Sequence, residues 1–458
     1  MPDRSLLGGL KPRLLKAGAW AIAGSGFSQS LRFASNLLMT RLLAPQMFGE
    51  MAIATMVMYA LAMFSDVGLR PNVVRSTRGS HPAYLNTVWI IQIARGAVLS
   101  LATIAVSLLL WSAKILQMVP DGSAYAAPDL PFVIAALSIN TFVAGFASTK
   151  IHEASRNIAL RSMVRVELAG QVAGLACMLG WVAFDRSIWA MVAGSIGGNV
   201  ASTLLSHLWL SGVRNRWQWD KTAFGEIFHF GKWVFASSIL GFLVMSGDRL
   251  LLGGLVSASV LGVYVIAYLL FNAGQLLITK VTAEVLFPVL SEVVRDRPSE
   301  LKSAYYEVFS GVAGFAYLCA GALMTSGQAL VRILYDNRYN EAGWMLGALA
   351  AILIVIPRDI TVQCFMALGK PKIHSYILAV QLVALYSLIP TGFHMFGIRG
   401  AIWAIVLSSF CSLPIRIFYS VKHGLFDLRR ELMLVPVILL GLVIGEGADR
   451  LLGFLRPI

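Results

Sequence analysis

Charge is scarce in this chain: Asp, Glu, Lys and Arg make up 13% of its 458 residues, about half the share of an ordinary soluble protein. Hydrophobic residues make up 57%, more apolar surface than a soluble globule of this length can hide, so a soluble fold is excluded. Cysteine is nearly absent. Cys177, Cys319, Cys364 and Cys411 are scattered through apolar stretches and imply neither a disulfide framework nor a metal site. The seven histidines are dispersed, without an HExxH pattern, so no metal and no other cofactor is expected. A phosphate-binding loop is also missing. The nearest string, GEIFHFGK from Gly225 to Lys232, has five residues between its glycines and Trp233 where Ser or Thr must ligate Mg²⁺, so an ATPase module is excluded. Any uphill transport must then draw on an ion gradient, the membrane potential or consumption of product. Outer loops are short, the longest running over 112–129, which leaves no room for a polymerase, ligase or glycosyltransferase site. The chain therefore reads as a transporter and not an enzyme.

Apolar runs are abundant. A bilayer core of roughly 30 Å needs about 20 apolar residues per helix. Stretches bounded by charge, Pro or Gly place spans at 15–40, 46–68, 84–111, 130–149, 164–184, 188–211, 229–253, 260–280, 304–326, 342–368, 373–394 and 399–420, with a weaker thirteenth at 432–448. The basic N-terminus leads into a run interrupted by Arg32 and lacking a small-residue cleavage site, so it reads as a retained helix. The net charge of +14 could suggest nucleic acid, but its distribution gives another meaning. Twelve spans put 23 of the 37 Lys and Arg residues in loops on the N-terminal side, against only Arg41, Lys114, Arg186, Arg332, Arg338 and Arg399 opposite. By the positive-inside rule the N-terminus is cytoplasmic. No nucleic-acid partner is expected.

Residues 41–54, RLLAPQMFGEMAIA, are echoed by 249–267, RLLLGGLVSASVLGVYVIA. Arg41 and Arg249 are 208 residues apart and Gly49 and Gly262 are 213 apart, a distance of six spans. An even number of spans preserves orientation, so the halves are parallel repeats about an axis along the membrane normal. The expected fold is an all-α polytopic membrane protein: two six-helix bundles around a central cavity, plus one or two extra C-terminal helices. The expected divisions are an N-terminal bundle at 1–211, a polar, basic cytoplasmic linker at 212–228, a C-terminal bundle at 229–422 and an additional segment at 423–458.

Ser25, Gln29, Arg32, Asn36 and Thr40 share one face of the first span, and Tyr264, Tyr268, Asn272, Gln275, Thr279 and Thr282 share one face of the eighth. Such stripes bind a polar ligand or join helices by hydrogen bonds. Six basic residues fall within spans or at their ends: Arg32, Arg95, Lys232, Arg249, Arg358 and Arg416. Mid-membrane charge costs about 2.5–3.5 kcal/mol on insertion scales and faces protein or water. Arg32 and Arg95 either line a cavity or pair with Glu167 or Asp66. Lys232 and Arg416, near the cytoplasmic face, are expected to snorkel. Arg249 beside Asp248, and Arg358 beside Asp359, point about 100° apart on a helix and are not built-in pairs. A cavity lined by Arg suits an anionic head group, because the guanidinium binds phosphate bidentately. An exporter of cationic drugs would place carboxylates there.

These features resemble the polysaccharide transport family of the MOP flippase superfamily, the Wzx-type lipid-linked oligosaccharide flippases. RLLAPQMFGEMAIA (41–54) is followed by SDVGL (65–69), GDRLLLGGLVSASVLGVYVIAY (247–268) by FPVLSEV (287–293), and MALGKPK (366–372) by FGIRGAIWA (396–404). The order of the motifs is the specific signal, and it covers nearly the whole chain. The resemblance implies alternating access and an undecaprenyl-diphosphate-linked oligosaccharide carried to the periplasmic leaflet of a bacterial inner membrane, for exopolysaccharide, capsule or O-antigen synthesis. Its implied partners are membrane lipids and the polymerase and chain-length regulator of the same pathway. Under it, Arg32, Arg95, Arg249 and Arg358 contact diphosphate. Tyr264, Tyr268, Asn272, Gln275, Gln29 and Asn36 contact sugar, while Asp66, Glu167, Asp248 and Asp359 are candidates for coupling to H⁺ or Na⁺. A lipid II flippase and a cation-coupled multidrug exporter are the alternative readings.

Overall fold

The computed structural model describes residues 24, 26–65, 68–157, 159–280, 293–294 and 297–454, and among them it is helical with no strand. The first helix, α1, covers residues 26–42. It is followed by α2 (Pro45–Phe64), α3 (Leu69–Arg75), α4 (Pro82–Ile115), α5 (Leu130–Gly145), α6 (Lys150–Arg156), α7 (Leu160–Val182) and α8 (Trp189–Leu208). Then come α9 (Lys221–Leu255), α10 (Ala258–Lys280), α11 (Leu301–Leu334), α12 (Ala342–Ala350), α13 (Asp359–Ala367), α14 (Pro371–Phe410), α15 (Leu413–Lys422), α16 (Leu428–Leu432) and α17 (Val435–Phe454). Each expected span falls on a helix or, for the first, on its described part. Among the described residues, eight helices are long and apolar enough to cross a membrane, or nine if α5 and α6, bent by 62°, form one broken span. Helices are the natural outcome, since every backbone amide in hydrocarbon must find its partner within its own segment.

Sequence punctuation sets the ends and breaks. Pro45, Pro82 and Pro371 occupy first-turn positions, where the missing N–H removes a donor that would have no partner. α14 is two helices joined at Phe396 and Gly397, where Gly397 has φ of 60°, a conformation open to glycine. The arms fold back closely enough that a Cβ on Gly400 would lie 2.0 Å from the Gly392 carbonyl oxygen. The expected span at 342–368 is also interrupted. α12 gives way to 3₁₀ turns at Ala351–Ile354 and Ile356–Arg358, with Pro357 inside the second, before α13 resumes.

Contacts divide the chain into two compact units: Met1–Asp121 with Tyr125–Phe242, and Gly122–Ala124 with Leu243–Ile458. The chain passes from one to the other within α9. In the first unit α4 packs on α5, and α7 on α8; in the second α11 packs on both α12 and α17.

The segment expected as a linker, 212–228, is strapped to the first unit. Val213 N–H donates to Glu153 Oε2 at 3.0 Å, Asn215 Nδ2 to Thr149 Oγ1 at 2.6 Å, and Arg216 N–H to Asn86 Oδ1 at 3.0 Å. Asp220 N–H donates to Thr87 Oγ1 at 2.9 Å, while Arg78 pairs with the Asp220 carboxylate. Asp220 Oδ1 accepts the Thr222 N–H at 2.9 Å, as a helix N-cap does. α9 therefore starts at Lys221, eight residues before its expected span. Ile227 on its first turns packs with Leu69, Val73, Tyr84 and Val88.

Candidate functional site

Each unit contains its own cavity with charged and polar side chains in its lining. In the first unit a cavity of about 490 Å³ opens between α1, α7 and α8. The expected polar face of α1 turns into it through Arg32 and Asn36, joined by Ser35, which is not on that face. Glu167 and Gln171 of α7, one helical turn apart, face Arg32 across the space. Arg32 Nη2 donates to Glu167 Oε1 at 3.1 Å and to Ser28 Oγ at 3.0 Å. Ser28 Oγ donates to the same Glu167 oxygen at 2.8 Å, and Gln171 Nε2 donates to Ser28 Oγ at 2.6 Å. Both alternatives read for Arg32 thus hold together: it pairs with Glu167 and it lines a cavity. The pair is half open, with side-chain exposures of 59% and 50%, so water screens it and its net worth is small. Close approach of α7 and α8 forms the floor, since a Cβ on Gly174 would lie 2.8 Å from the Gly194 carbonyl oxygen. Ser195, Asn199 and Ser202 of α8 add polar lining. These three lie at spacings of four and three, and the face rule applied to α1 identifies them when extended to α8. Asn36 Oδ1 is buried without a hydrogen-bond partner among the described residues.

In the second unit a cavity of about 470 Å³ is lined by Asp248, Tyr268, Gln275, Asp359, His374 and Arg416 among others. Asp248 is buried and accepts a hydrogen bond from the Tyr264 hydroxyl, while its Oδ1 accepts no hydrogen bond among the described residues. Arg249 stacks over the Tyr268 ring at 4.3 Å from its centroid, and its Nε lies 3.8 Å from Asp248 Oδ1. These neighbours in sequence form a loose pair in spite of their divergent directions. Arg416, expected to snorkel, is instead buried: its Nη1 donates to Asp359 Oδ1 at 2.7 Å and its Nε to Ser412 Oγ at 3.2 Å. The carboxylate holds the guanidinium inside, where its charge is compensated. His374 and Gln381 line the same space, and no expected stripe contained them.

Other sequence candidates lie elsewhere. Arg95 donates from Nη2 to the Ala62 carbonyl at 2.7 Å and from Nε to Ser65 Oγ at 3.0 Å, placing a cation at the C-terminus of α2, where the helix dipole favours it. Arg358 is forked onto Glu431, with Nη1 to Oε1 at 2.7 Å and Nη2 to Oε2 at 2.6 Å. Neither arginine is among the residues lining the two cavities. Tyr264 is fully buried behind Asp248, while Gln29 and Asn272 line neither cavity. Asp66, Ser25 and Thr282 lie outside the described residues, as do the side chains of Lys232 and Thr279.

The model of a family described as polysaccharide biosynthesis protein matches residues 38–343, more than half of the chain. The lipopolysaccharide biosynthesis protein WzxC of Escherichia coli K12 is 19% identical over 72% of this chain, and the match spans 65% of that protein's length. A putative O-antigen transporter of Shigella flexneri is 22% identical over 85% of this chain and 93% of its own. Among solved structures, the lipid II flippase MurJ in an inward closed conformation aligns with a TM-score of 0.71 at 12% identity, covering 94% of this chain and 97% of that one. An inward-facing MATE-family multidrug resistance transporter of the MOP superfamily aligns with a TM-score of 0.65 at 14% identity, covering 95% and 100%. These likenesses establish the fold of a multi-pass membrane protein.

Proposed function

Because the chain belongs to the polysaccharide biosynthesis protein family, in the polysaccharide transport branch of the MOP flippase superfamily, we propose that it flips an undecaprenyl-diphosphate-linked oligosaccharide. The movement runs from the cytoplasmic to the periplasmic leaflet of a bacterial inner membrane, by alternating access and without enzymatic chemistry. The observation that carries this reading is Arg32, a half-exposed guanidinium facing a polar cavity within a membrane bundle. A sugar diphosphate cannot cross roughly 30 Å of hydrocarbon unaided, because burying its charges costs far more than binding returns. Arg32 supplies a fork for a phosphate oxygen, and Asn36, Gln171 and Asn199 offer amide donors and acceptors for sugar hydroxyls. Glu167 and Asp248 are proposed as carriers of coupling H⁺ or Na⁺, since each is a carboxylate facing a cavity and Asp248 Oδ1 accepts no hydrogen bond among the described residues.

Deleting the gene in its own host is expected to abolish a surface polysaccharide and to trap lipid-linked repeat units in the cytoplasmic leaflet. The wild-type gene restores export. Arg32→Ala, folded and expressed normally, lowers export about ten- to a hundredfold, the worth of one charge-assisted hydrogen bond set. Full export by Arg32→Ala removes the cavity assignment, and intact polymer in the deletion strain removes the function itself. A second reading, a cation-coupled exporter of drugs, is favoured by the Asp248 and Asp359 carboxylates on the second cavity. Efflux of cationic dyes by proteoliposomes would select it over the flippase.

A further inference from the structure

A third cavity lies apart from these two, on the α14 hairpin. It has a volume of about 640 Å³, and its lining is apolar apart from Thr391 and Arg399. Gly392 and Gly400 form its floor where the two arms touch backbone to backbone, a carbonyl-to-Cβ approach of 2.7 Å if Gly392 carried a side chain. Because no side chain fills that crossing, the groove stays open between walls of Leu388, Phe396, Trp403 and Leu407. Phe396 and Trp403 are exposed by 70% and 52%, so the groove opens to the hydrocarbon around the protein.

Arg399 stands at the hairpin's turn and faces this groove. Two other cations of the same set of loops are occupied: Arg338 is forked on Asp336, with Nη2 to Oδ2 at 2.5 Å, and Lys114 Nζ donates to the Ala127 carbonyl at 2.7 Å. Among the described residues Arg399 makes no salt bridge or hydrogen bond, and its guanidinium lies 5.9 Å from the Trp344 ring centroid. A guanidinium beside an indole at a helix turn is the composition of a membrane interface, where Trp settles at head-group level and a cation meets anionic lipid. An unpaired cation at the rim of an apolar groove complements one kind of molecule, an amphiphile with an anionic head and a long hydrocarbon chain.

We propose that the α14 hairpin binds an anionic lipid, its phosphate held by Arg399 and the start of its chain lying in the groove over Gly392 and Gly400. The loop carrying Arg399 is on the side opposite the basic loops, so the site serves the leaflet away from the N-terminus. Phosphate on a long apolar chain could come from a phospholipid or from a polyprenyl phosphate. The site stands on this geometry alone and survives failure of the flippase reading.

The test uses the full chain in nanodiscs of phosphatidylcholine doped equally with phosphatidylglycerol and undecaprenyl phosphate, with co-purifying lipid identified by native mass spectrometry. Wild type is expected to retain an anionic lipid about tenfold over its share of the bilayer, and the species retained tells phospholipid from polyprenyl phosphate. Arg399→Gln, an exposed substitution, should remove the enrichment while leaving the melting temperature unchanged. Thr391→Phe, which fills the groove and keeps the cation, should reduce it as well. Retention of phosphatidylcholine in proportion to its abundance, or undiminished enrichment in Arg399→Gln, overturns the proposal.

Discussion

Arg358 and Glu431 show how a charge can be kept inside a membrane protein. Both side chains are nearly buried, at 12% and 9% exposure, and two parallel hydrogen bonds join them in the fork geometry that strengthens such pairs. The Tyr306 hydroxyl donates to Glu431 Oε1 at 3.2 Å, and the guanidinium lies over Phe309 at 5.2 Å from its centroid. Removing one partner leaves the other charge buried and uncompensated, a loss of about 3–5 kcal/mol. Glu431→Gln is therefore expected to lower the melting temperature sharply, whereas Arg358→Met with Glu431→Leu recovers most of it. Export by that double variant then separates a brace from a phosphate ligand: full export identifies a brace. Arg358 was legible as a charge inside a span, but its partner was not, because Glu431 stands 73 residues later in a helix of five. Asp220 is a different case, at the surface. The Thr222 hydroxyl and the Arg78 guanidinium hold its carboxyl well below the usual carboxylate range. A carboxyl whose folded pKa is depressed adds stability at pH values above its unfolded pKa and loses it as pH falls toward the folded one. The difference in thermal stability between wild type and Asp220→Asn should thus be constant from about pH 8 to 5 and shrink below about pH 4. A difference that does not change with acid would mean that the pair contributes nothing.

Among the elements, apolar length is plain in the sequence, whereas the side-chain bonds between distant segments are not. Among the described residues the expected spans fall on helices, with 342–368 and 399–420 each broken into two, because hydrocarbon thickness and the need to satisfy backbone amides act on runs of about 20 residues, which composition displays directly. The strap at 213–222 is held by side-chain bonds of Asn86, Thr87, Thr149 and Glu153, and no periodicity announces such bonds. Pairing between helices was equally hidden, although its agents are plain in the chain. α17 lies on α11 because Gly321, Gly441 and Gly445 let the two backbones meet: a Cβ on Gly321 would lie 2.4 Å from the Ile438 carbonyl oxygen, and one on Gly441 2.5 Å from that of Leu318. Neither obstacle can rotate away. Gly321→Val should cost about 1–3 kcal/mol or more, seen as a lower melting temperature and faster proteolysis in the connection at 423–427. Gly447→Ala, in open space on the same helix, is the control and should behave as wild type. Equal stability of the two variants would show that α17 does not depend on this contact.

At the scale of the molecule, glycine contacts repeat where the sequence echo between 41–54 and 249–267 places a repeat. The third and fourth spans meet at Gly96 and Gly145, and six spans later the ninth and tenth meet at Gly327 and Gly343. The fifth and sixth meet at Gly174 and Gly198, and the eleventh and twelfth, the arms of α14, at Gly392 and Gly400. Both units thus close helix pairs six spans apart by the same means, at positions outside the short motif match at 41–54 and 249–267. A parallel repeat requires each half to enter the membrane from the same side, and that side is set by charge. With 23 basic loop residues on the N-terminal side against six opposite, the rule for Lys and Arg predicts that the N-terminus and residues 212–228 are cytoplasmic. Single cysteines decide this after Cys177, Cys319, Cys364 and Cys411, all free thiols, are replaced by Ser. An impermeant maleimide applied to spheroplasts should label Asp185→Cys and Asn337→Cys directly, both positions being exposed, and should reach Ser211→Cys only after permeabilisation. Labelling of Ser211→Cys from outside, with Asp185→Cys protected, would invert the protein. Labelling of Asp185→Cys and Asn337→Cys from opposite faces would break the parallel repeat, since these loops follow the fifth and ninth spans and an even number separates them.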